Sequence, residues 1–234
     1  KKTSYPKILL EKALDNKKIR LAIASADNEI PMRSAYEGFK SGIIIPIFIG
    51  NKKKIQNIAI KLKWDISSFQ LFDIAEEGNS AIKAVEVCGS GNADVLMKGH
   101  LHTDIFMKAV LNKKTGLKTN SRLVHMFYIS PPKEGKSVLI SDAAVNIQPN
   151  LETRKYSTLK AVELLKILGV DKPKIAFLSA SESIIENMPS STEGKELKDW
   201  CTKNIKDAQF SGPLALDLIF SDKAGQIKGI LDDP

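Results

Sequence analysis

Six polar side chains stand where short apolar runs end or turn, and their types suit the holding of an anion: Lys98, Thr103, Arg122, Asp142, Asn146 and Ser179. Lysine offers phosphate a point charge, whereas arginine offers a planar fork that can reach two oxygens at once. Lys98 closes the apolar part of ADVLMKGHLHTD (93–104), and Gly99 then turns the chain toward a helix beginning near Thr103. Thr103 suits the cap of that helix, whose free amides would attract an anion, although a capping role alone would also explain it. Arg122 lies in GLKTNSRLVH (116–125). Asp142 and Asn146 lie in SDAAVNIQPNLE (141–152), with Asn150 placed to cap the next helix, and Ser179 ends KIAFLSA (174–180).

Other chemistries find less support. His100 and His102 form an HxH pair, but the remaining histidine is His125 and a third ligand nearby is lacking, so no metal site is expected. Gly89-Ser-Gly91 follows a helical pattern and precedes a strand pattern, the reverse of a dinucleotide fingerprint. The chain carries no GxSxG, Walker A, HExxH or CxxC motif. Cys88 and Cys201 are too few and too far apart for a disulfide framework, and Cys88 ends an apolar stripe as a small core residue would. Positioned anion donors therefore fit better than a protein nucleophile.

Length and composition suit a folded protein of one large domain or two small ones: 234 residues, 43% hydrophobic and 26% charged. No apolar stretch is long enough to span a membrane, and the N-terminal apolar run is too interrupted for a signal peptide. The expected location is cytoplasmic, with no membrane partner. The net charge of +8 is uneven, because residues 1–63 carry 14 Lys/Arg against 5 Asp/Glu. A solvated lysine-rich face explains this, and so does a field that attracts anions. Basic residues interleaved with aromatics are missing, so a nucleic-acid partner is not expected.

The elements that must position these residues alternate. Strands are predicted at 20–25, 43–50, 69–74, 93–99, 122–129, 137–144, 174–180 and near 213–217. Helices are predicted at 31–41 (opened by Pro31), 51–62, 78–88, 103–111, 152–168 and 193–204, with Ile55, Ile58 and Leu62 inward on the second and Leu159, Val162 and Leu165 on the fifth. This alternation implies βαβ units and a mostly parallel sheet. The runs at 122–129 and 137–144, joined by PPKEGK, read as a hairpin or as a crossing between subdomains. We place an N-terminal α/β subdomain at 1–130 and a second at 131–234. Ligands of such sheets gather at the carboxyl ends of the strands, which directs attention to 25–27, 98–103, 142–149 and 179–191.

ADVLMKGHLHTDIFMKAVL, GLKT with RLVH, LISDAAVNIQPNLE, PKIAFLSASESIIENMPSS and GPLALDLIFSDKAGQIKGI follow one another in an order that resembles the phosphate acetyltransferase/phosphate butyryltransferase family. The resemblance implies a two-subdomain, three-layer α/β/α fold with mostly parallel sheets, similar to the isocitrate/isopropylmalate dehydrogenases. It also implies a cleft between the subdomains and a homodimer. It implies reversible acyl transfer between coenzyme A and inorganic phosphate, with acyl-CoA, phosphate and acyl phosphate as small-molecule substrates and no prosthetic group. On that reading Arg122 contacts phosphate or coenzyme A, Lys98 and Thr103 line the cleft, and Asp142, Asn146 and Ser179 match polar positions of the later blocks.

Two departures are local: Val124 stands where the family writes serine, and Asn120 lies near a family glycine. The third is larger. No residue in 1–234 matches the family's C-terminal serine–arginine pair and nearby aspartate, thought to include the general base. The catalytic base is therefore unassigned, and the chain is expected to be truncated. The alternatives are an inactive family member that retains ligand binding or interaction, and a dehydrogenase of the related fold, which would need an aspartate cluster that the sequence lacks.

Overall fold

In a computed structural model the chain divides into two compact units, Lys1–Ser121 and Arg122–Pro234. The described residues are 6–131, 137–142 and 144–230. The division falls ahead of the 130/131 boundary expected from sequence, because the strand after Arg122 pairs forward with the next strand and so belongs to the second unit.

The first unit opens with α1 (Lys7–Leu14), a helix the sequence reading did not anticipate and one that buries no residue. Then come β1 (Ile19–Ala24), α2 (Glu29–Lys40), β2 (Ile44–Gly50), α3 (Lys52–Lys61), β3 (Leu71–Asp73), α4 (Glu77–Gly89), β4 (Val95–Lys98) and α5 (Thr103–Val110). The strands lie in the order β3-β2-β1-β4, all parallel. The two faces of β1 show why the sheet is covered on both sides. Leu21 and Ile23 pack with Met32 and Ala35 of α2, Ile55 and Ile58 of α3, and Phe48. Ala22 and Ala24 pack with Ala81, Ala84 and Val85 of α4 and Ala109 of α5. Trp64 is buried among Tyr36, Phe39, Phe48 and Phe69, with centroid separations of 5.1–5.8 Å.

Helix α2 starts two residues before Pro31, because the Asn28 side chain accepts the Ile30 N–H and caps it there. At the amino end of the sheet, Arg20 grips Asp94 with Nη2–Oδ1 at 2.7 Å and Nε–Oδ2 at 3.1 Å, fixing β1 against β4. The guanidinium holds the Asp94 carboxyl well below the usual carboxylate range.

The second unit contains β5 (Met126–Ile129) and β6 (Val138–Ser141), then α6 (Leu151–Ile167), β7 (Lys174–Leu178), α7 (Pro189–Asn204), β8 (Gln209–Leu214), α8 (Leu216–Phe220) and α9 (Asp222–Lys228). β5 and β6 form an antiparallel hairpin, whose connecting residues 132–136 lie outside the described ones. β7 and β8 pair in parallel, joined by α7. The expected strand 122–129 is shorter: Arg122–His125 are irregular, since their polar groups are taken up by the turn after β6. The strand near 213–217 lies instead at Gln209–Leu214, and two short helices follow it.

Leu159 points outward, contrary to its expected inward face, and is 40% exposed. The buried stripe of α6 is Thr153, Ser157, Thr158, Ala161 and Val162, a helical spacing that polar residues hide from a hydrophobicity reading. Val162, Cys201 and Phe210 form the core of this unit, with Ile175, Phe177 and Trp200 against them. Among the described residues no helix is long and apolar enough to cross a membrane.

Candidate functional site

In the first unit, β1 leads to β2 and β3 on one side while β4 lies on the other, so the chain's direction of winding reverses between β1 and β4. Loops at the carboxyl ends of two such strands diverge and leave a crevice for ligands. Here these loops are Ser25–Asn28 and Lys98–His102, and several bonds stitch them together. Gly99 N–H donates to Ala24 O at 2.8 Å and His100 N–H to Ser25 O at 3.0 Å. Ser25 takes φ +52°, and its N–H donates to the buried Oγ of Ser80 at 2.8 Å. A Cβ at position 99 would lie 2.3 Å from both Ala24 O and Ser25 O, so only glycine permits this approach.

Lys98 ends β4 and is exposed beside this crossing. Thr103 is exposed at the first position of α5, and the cap position belongs to His102, which makes no side-chain capping bond. The capping role expected for Thr103 is therefore corrected. Thr103 stands exposed at a helix start, where the dipole favours anions. Sequence reasoning missed Glu77 of α4. Its Oε2 lies 2.8 Å from His102 Nδ1 and accepts the His102 N–H at 3.2 Å. The hydrogen bond to His102 lowers the Glu77 carboxyl below its ordinary pKa, and the same bond raises that of His102.

In the second unit, Arg122 is exposed in the irregular segment before β5. Asp142 follows β6 and organises the turn. Its Oδ1 accepts the N–H groups of Ala144 at 3.1 Å, Val145 at 3.0 Å and Asn146 at 3.5 Å. Its Oδ2 accepts the His125 N–H at 3.3 Å and the Asn146 side-chain amide. That amide also donates to Leu123 O at 3.0 Å. Burial alone would push the Asp142 carboxyl up. The bonds from Asn146, Val145, Ala144 and His125 outweigh it and hold the group down at about 2. Both Asp142 oxygens are thus engaged by the chain itself, in shaping the segment that follows Arg122.

Ser179 is buried after β7, with its Oγ 3.0 Å from Ser190 Oγ and 3.6 Å from Met188 Sδ, near the start of α7. Asn150 caps α6 as expected, accepting the Thr153 N–H at 2.9 Å. Two cavities of about 360 and 340 Å3 adjoin β8, and neither is lined by any of the six expected residues. No group of three or more His, Cys, Asp or Glu that could hold a metal occurs among the described residues.

One prediction follows from the turn. Asp142→Asn must set an NH2 group against one of these donors, so it is expected to destabilise the second unit by about 1–3 kcal/mol. In the native chain the folded carboxyl titrates below the unfolded one. Its contribution is therefore full above about pH 4 and fades as pH falls toward about 2. Denaturant melts at pH 7 and pH 2.5 check this: the difference between variant and parent should shrink at the lower pH.

The arrangement is that of an α/β protein whose candidate polar residues sit on loops flanking its strands. The family model described as Phosphate acetyl/butaryl transferase matches residues 76–229. The chain is 34% identical to the phosphate acetyltransferase of Rhizobium meliloti over 209 residues, covering 89% of this chain and 66% of that protein. It is 31% identical to the phosphate butyryltransferase of Clostridium acetobutylicum (strain ATCC 824) over 229 residues, covering 97% and 75%. The branched-chain phosphotransacylase from Enterococcus faecalis V583 superposes with a TM-score of 0.71 at 28% identity, covering 90% of this chain and 74% of that one. The chain belongs to the phosphate acetyl/butyryltransferase family, and its fold is of the three-layer α/β/α class. It spans just under two-thirds of the length of the Rhizobium relative.

Proposed function

We infer that the protein takes part in acyl exchange between coenzyme A and inorganic phosphate. The coenzyme A thiolate attacks the carbonyl carbon of an acyl phosphate, forming the C–S bond. The C–O bond to phosphate breaks, and phosphate leaves with the electron pair. A free thiol near pKa ~8.5 is only a few per cent ionised at neutral pH, so a base must take its proton. None of the six residues is assigned that role. The observation that carries the reading is the β1/β4 crossing, where Lys98 and the start of α5 stand together at the carboxyl end of a parallel sheet. Lys98 and Thr103 of the first unit would meet the phosphate, and Arg122 of the second unit is a separate candidate for an anion of the substrates. Asp142 and Asn146 would shape the loop behind Arg122, and Ser179 would line the end of β7.

A covalent route through the protein's own thiols has less support. Burial pushes the Cys201 thiol up to about 11, and burial also raises Cys88, so neither is a ready thiolate. No observation favours the inactive reading. A homodimer and a cytoplasmic location belong to the proposed reading and rest on family membership. The test is thioester formation from coenzyme A with acetyl phosphate or butyryl phosphate. A rate well above the no-protein rate supports the reading, and none with either substrate overturns it. The two rates also give the acyl preference, for which one methylene is worth only ~1–3 kcal/mol.

A further inference from the structure

The Glu77–His102 pair is the one close contact between a carboxylate and a histidine ring at the β1/β4 crossing among the described residues. Its geometry is two-pronged: one oxygen, Oε2, faces both the ring Nδ1 and the backbone N–H of His102. A carboxylate held this way fixes the ring plane and selects the proton on Nδ1, as in the carboxylate–histidine pairs that orient histidine elsewhere. The side chain of His102 is 76% exposed, and with Nδ1 engaged by Glu77 its Nε2 is the ring nitrogen left open to a ligand. The tether joins the first turn of α4 to the cap of α5, spanning the loop in which Lys98 and Gly99 lie.

We propose that Glu77 is a positioning residue for the candidate site: through Oε2 it fixes the β4–α5 loop and aims the Nε2–H of His102 at the phosphate group of the substrate. This deepens the acyl-transfer reading and rests on it. The charged and titratable groups that act on the pair are few. Asp104 in the first turn of α5 reinforces the proton on His102, and Lys98 at the end of β4 opposes it. His100 acts on Glu77 in the same sense as His102 does. With the pair intact, the hydrogen bond to Glu77 lets His102 keep its second proton, the Nε2–H donor, to higher pH than an ordinary histidine does.

The experiment uses the full chain and three variants, E77A, E77Q and H102Q. Glu76 caps α4 through the Gly78 and Asn79 N–H groups, so loss of the Glu77 side chain leaves that cap in place, and unchanged thermal melts confirm it. E77A and H102Q are expected to raise KM for acyl phosphate about tenfold at pH 7.5 with a smaller change in kcat. E77Q removes the charge and keeps an acceptor. Its KM should match the parent at pH 6 and rise at a lower pH than in the parent, a shift that a purely structural role would not produce. Inorganic phosphate, followed by the His102 ring resonances in NMR, gives a readout independent of activity. Resonances that move on titration in the parent, and less in E77A, support the proposal. Resonances that stay still, or an E77Q profile that coincides with the parent's, overturn it. A parent that moves these resonances yet forms no thioester instead refutes the acyl-transfer reading.

Discussion

Gly99→Val is expected to lower the melting temperature of the chain by about 2–12 °C, taking ~1–3 kcal/mol for overpacking at ~2–4 °C per kcal/mol in a protein of this size. The reason is local and steric. The first atom added at position 99 meets the carbonyl oxygens of Ala24 and Ser25 at 2.3 Å and the Ser25 carbonyl carbon at 2.9 Å. These are backbone atoms of the central strand's end, where Ala24 is fully buried and Ser25 nearly so. They cannot swing aside as a flexible side chain would. Relief must come from lifting the β4–α5 loop, which breaks the Gly99–Ala24 and His100–Ser25 bonds and moves Lys98.

Acyl-transfer activity should therefore fall more steeply than stability. Gly89→Ala is the contrasting change. The added carbon would lie 3.7 Å from Leu117 Cδ2, an ordinary contact, and alanine is the better helix former by ~1 kcal/mol. That variant should melt at or above the parent. Differential scanning calorimetry on the pair decides the matter. Equal melting temperatures for Gly99→Val and the parent would mean that the loop does not rest on β1 as described.

What the sequence made legible follows from which forces are local. Ile44–Gly50 reads as a buried strand because its apolar run is continuous, as expected where both faces of a sheet are covered, whereas Lys174–Leu178, read the same way, forms a strand with no buried residue and with Leu178 58% exposed. Helix α3 reads from Ile55 and Ile58, which are both buried. Helices α8 and α9 escaped notice because they are short and bury no residue, so no apolar period announces them. The inward stripe of α6 escaped for a different reason. Ser157 faces the core through a hydrogen bond to Ser141 at 2.5 Å, and hydrophobicity cannot register a polar side chain satisfied in that way.

The site was legible as a set of loops but not as a set of roles. Lys98 and Arg122 stand out as candidates because cations at loop positions suit anion chemistry. Asp142 looked equally available, yet its oxygens are consumed by four backbone N–H groups and one amide. Glu77 was invisible because its partner, His102, lies 25 residues along the chain and meets it only once α4 and α5 pack together.

Arg122→Ala is expected to raise KM for acyl phosphate about 10- to 150-fold, the loss of hydrogen bonds to a charged group worth ~1.5–3 kcal/mol. Folding should be unaffected, because Arg122 is exposed and ahead of β5. Arg122→Lys restores the charge but not the fork, so it should recover part of the affinity and leave KM more sensitive to salt. Arg154 supplies the control. Its Nε donates to Pro149 O at 3.2 Å and its Nη1 pairs with Glu193 at 3.1 Å, so its cation is committed to the fold. Arg154→Ala should lower the melting temperature and leave KM near the parent value. Initial-rate kinetics in acyl phosphate, at two salt concentrations, separate the two arginines. A parent-like KM for Arg122→Ala would remove this guanidinium from the phosphate site. Asp142 and Asn146 would then keep only the structural task their bonds describe, since the turn they build would no longer serve to present a phosphate-binding side chain.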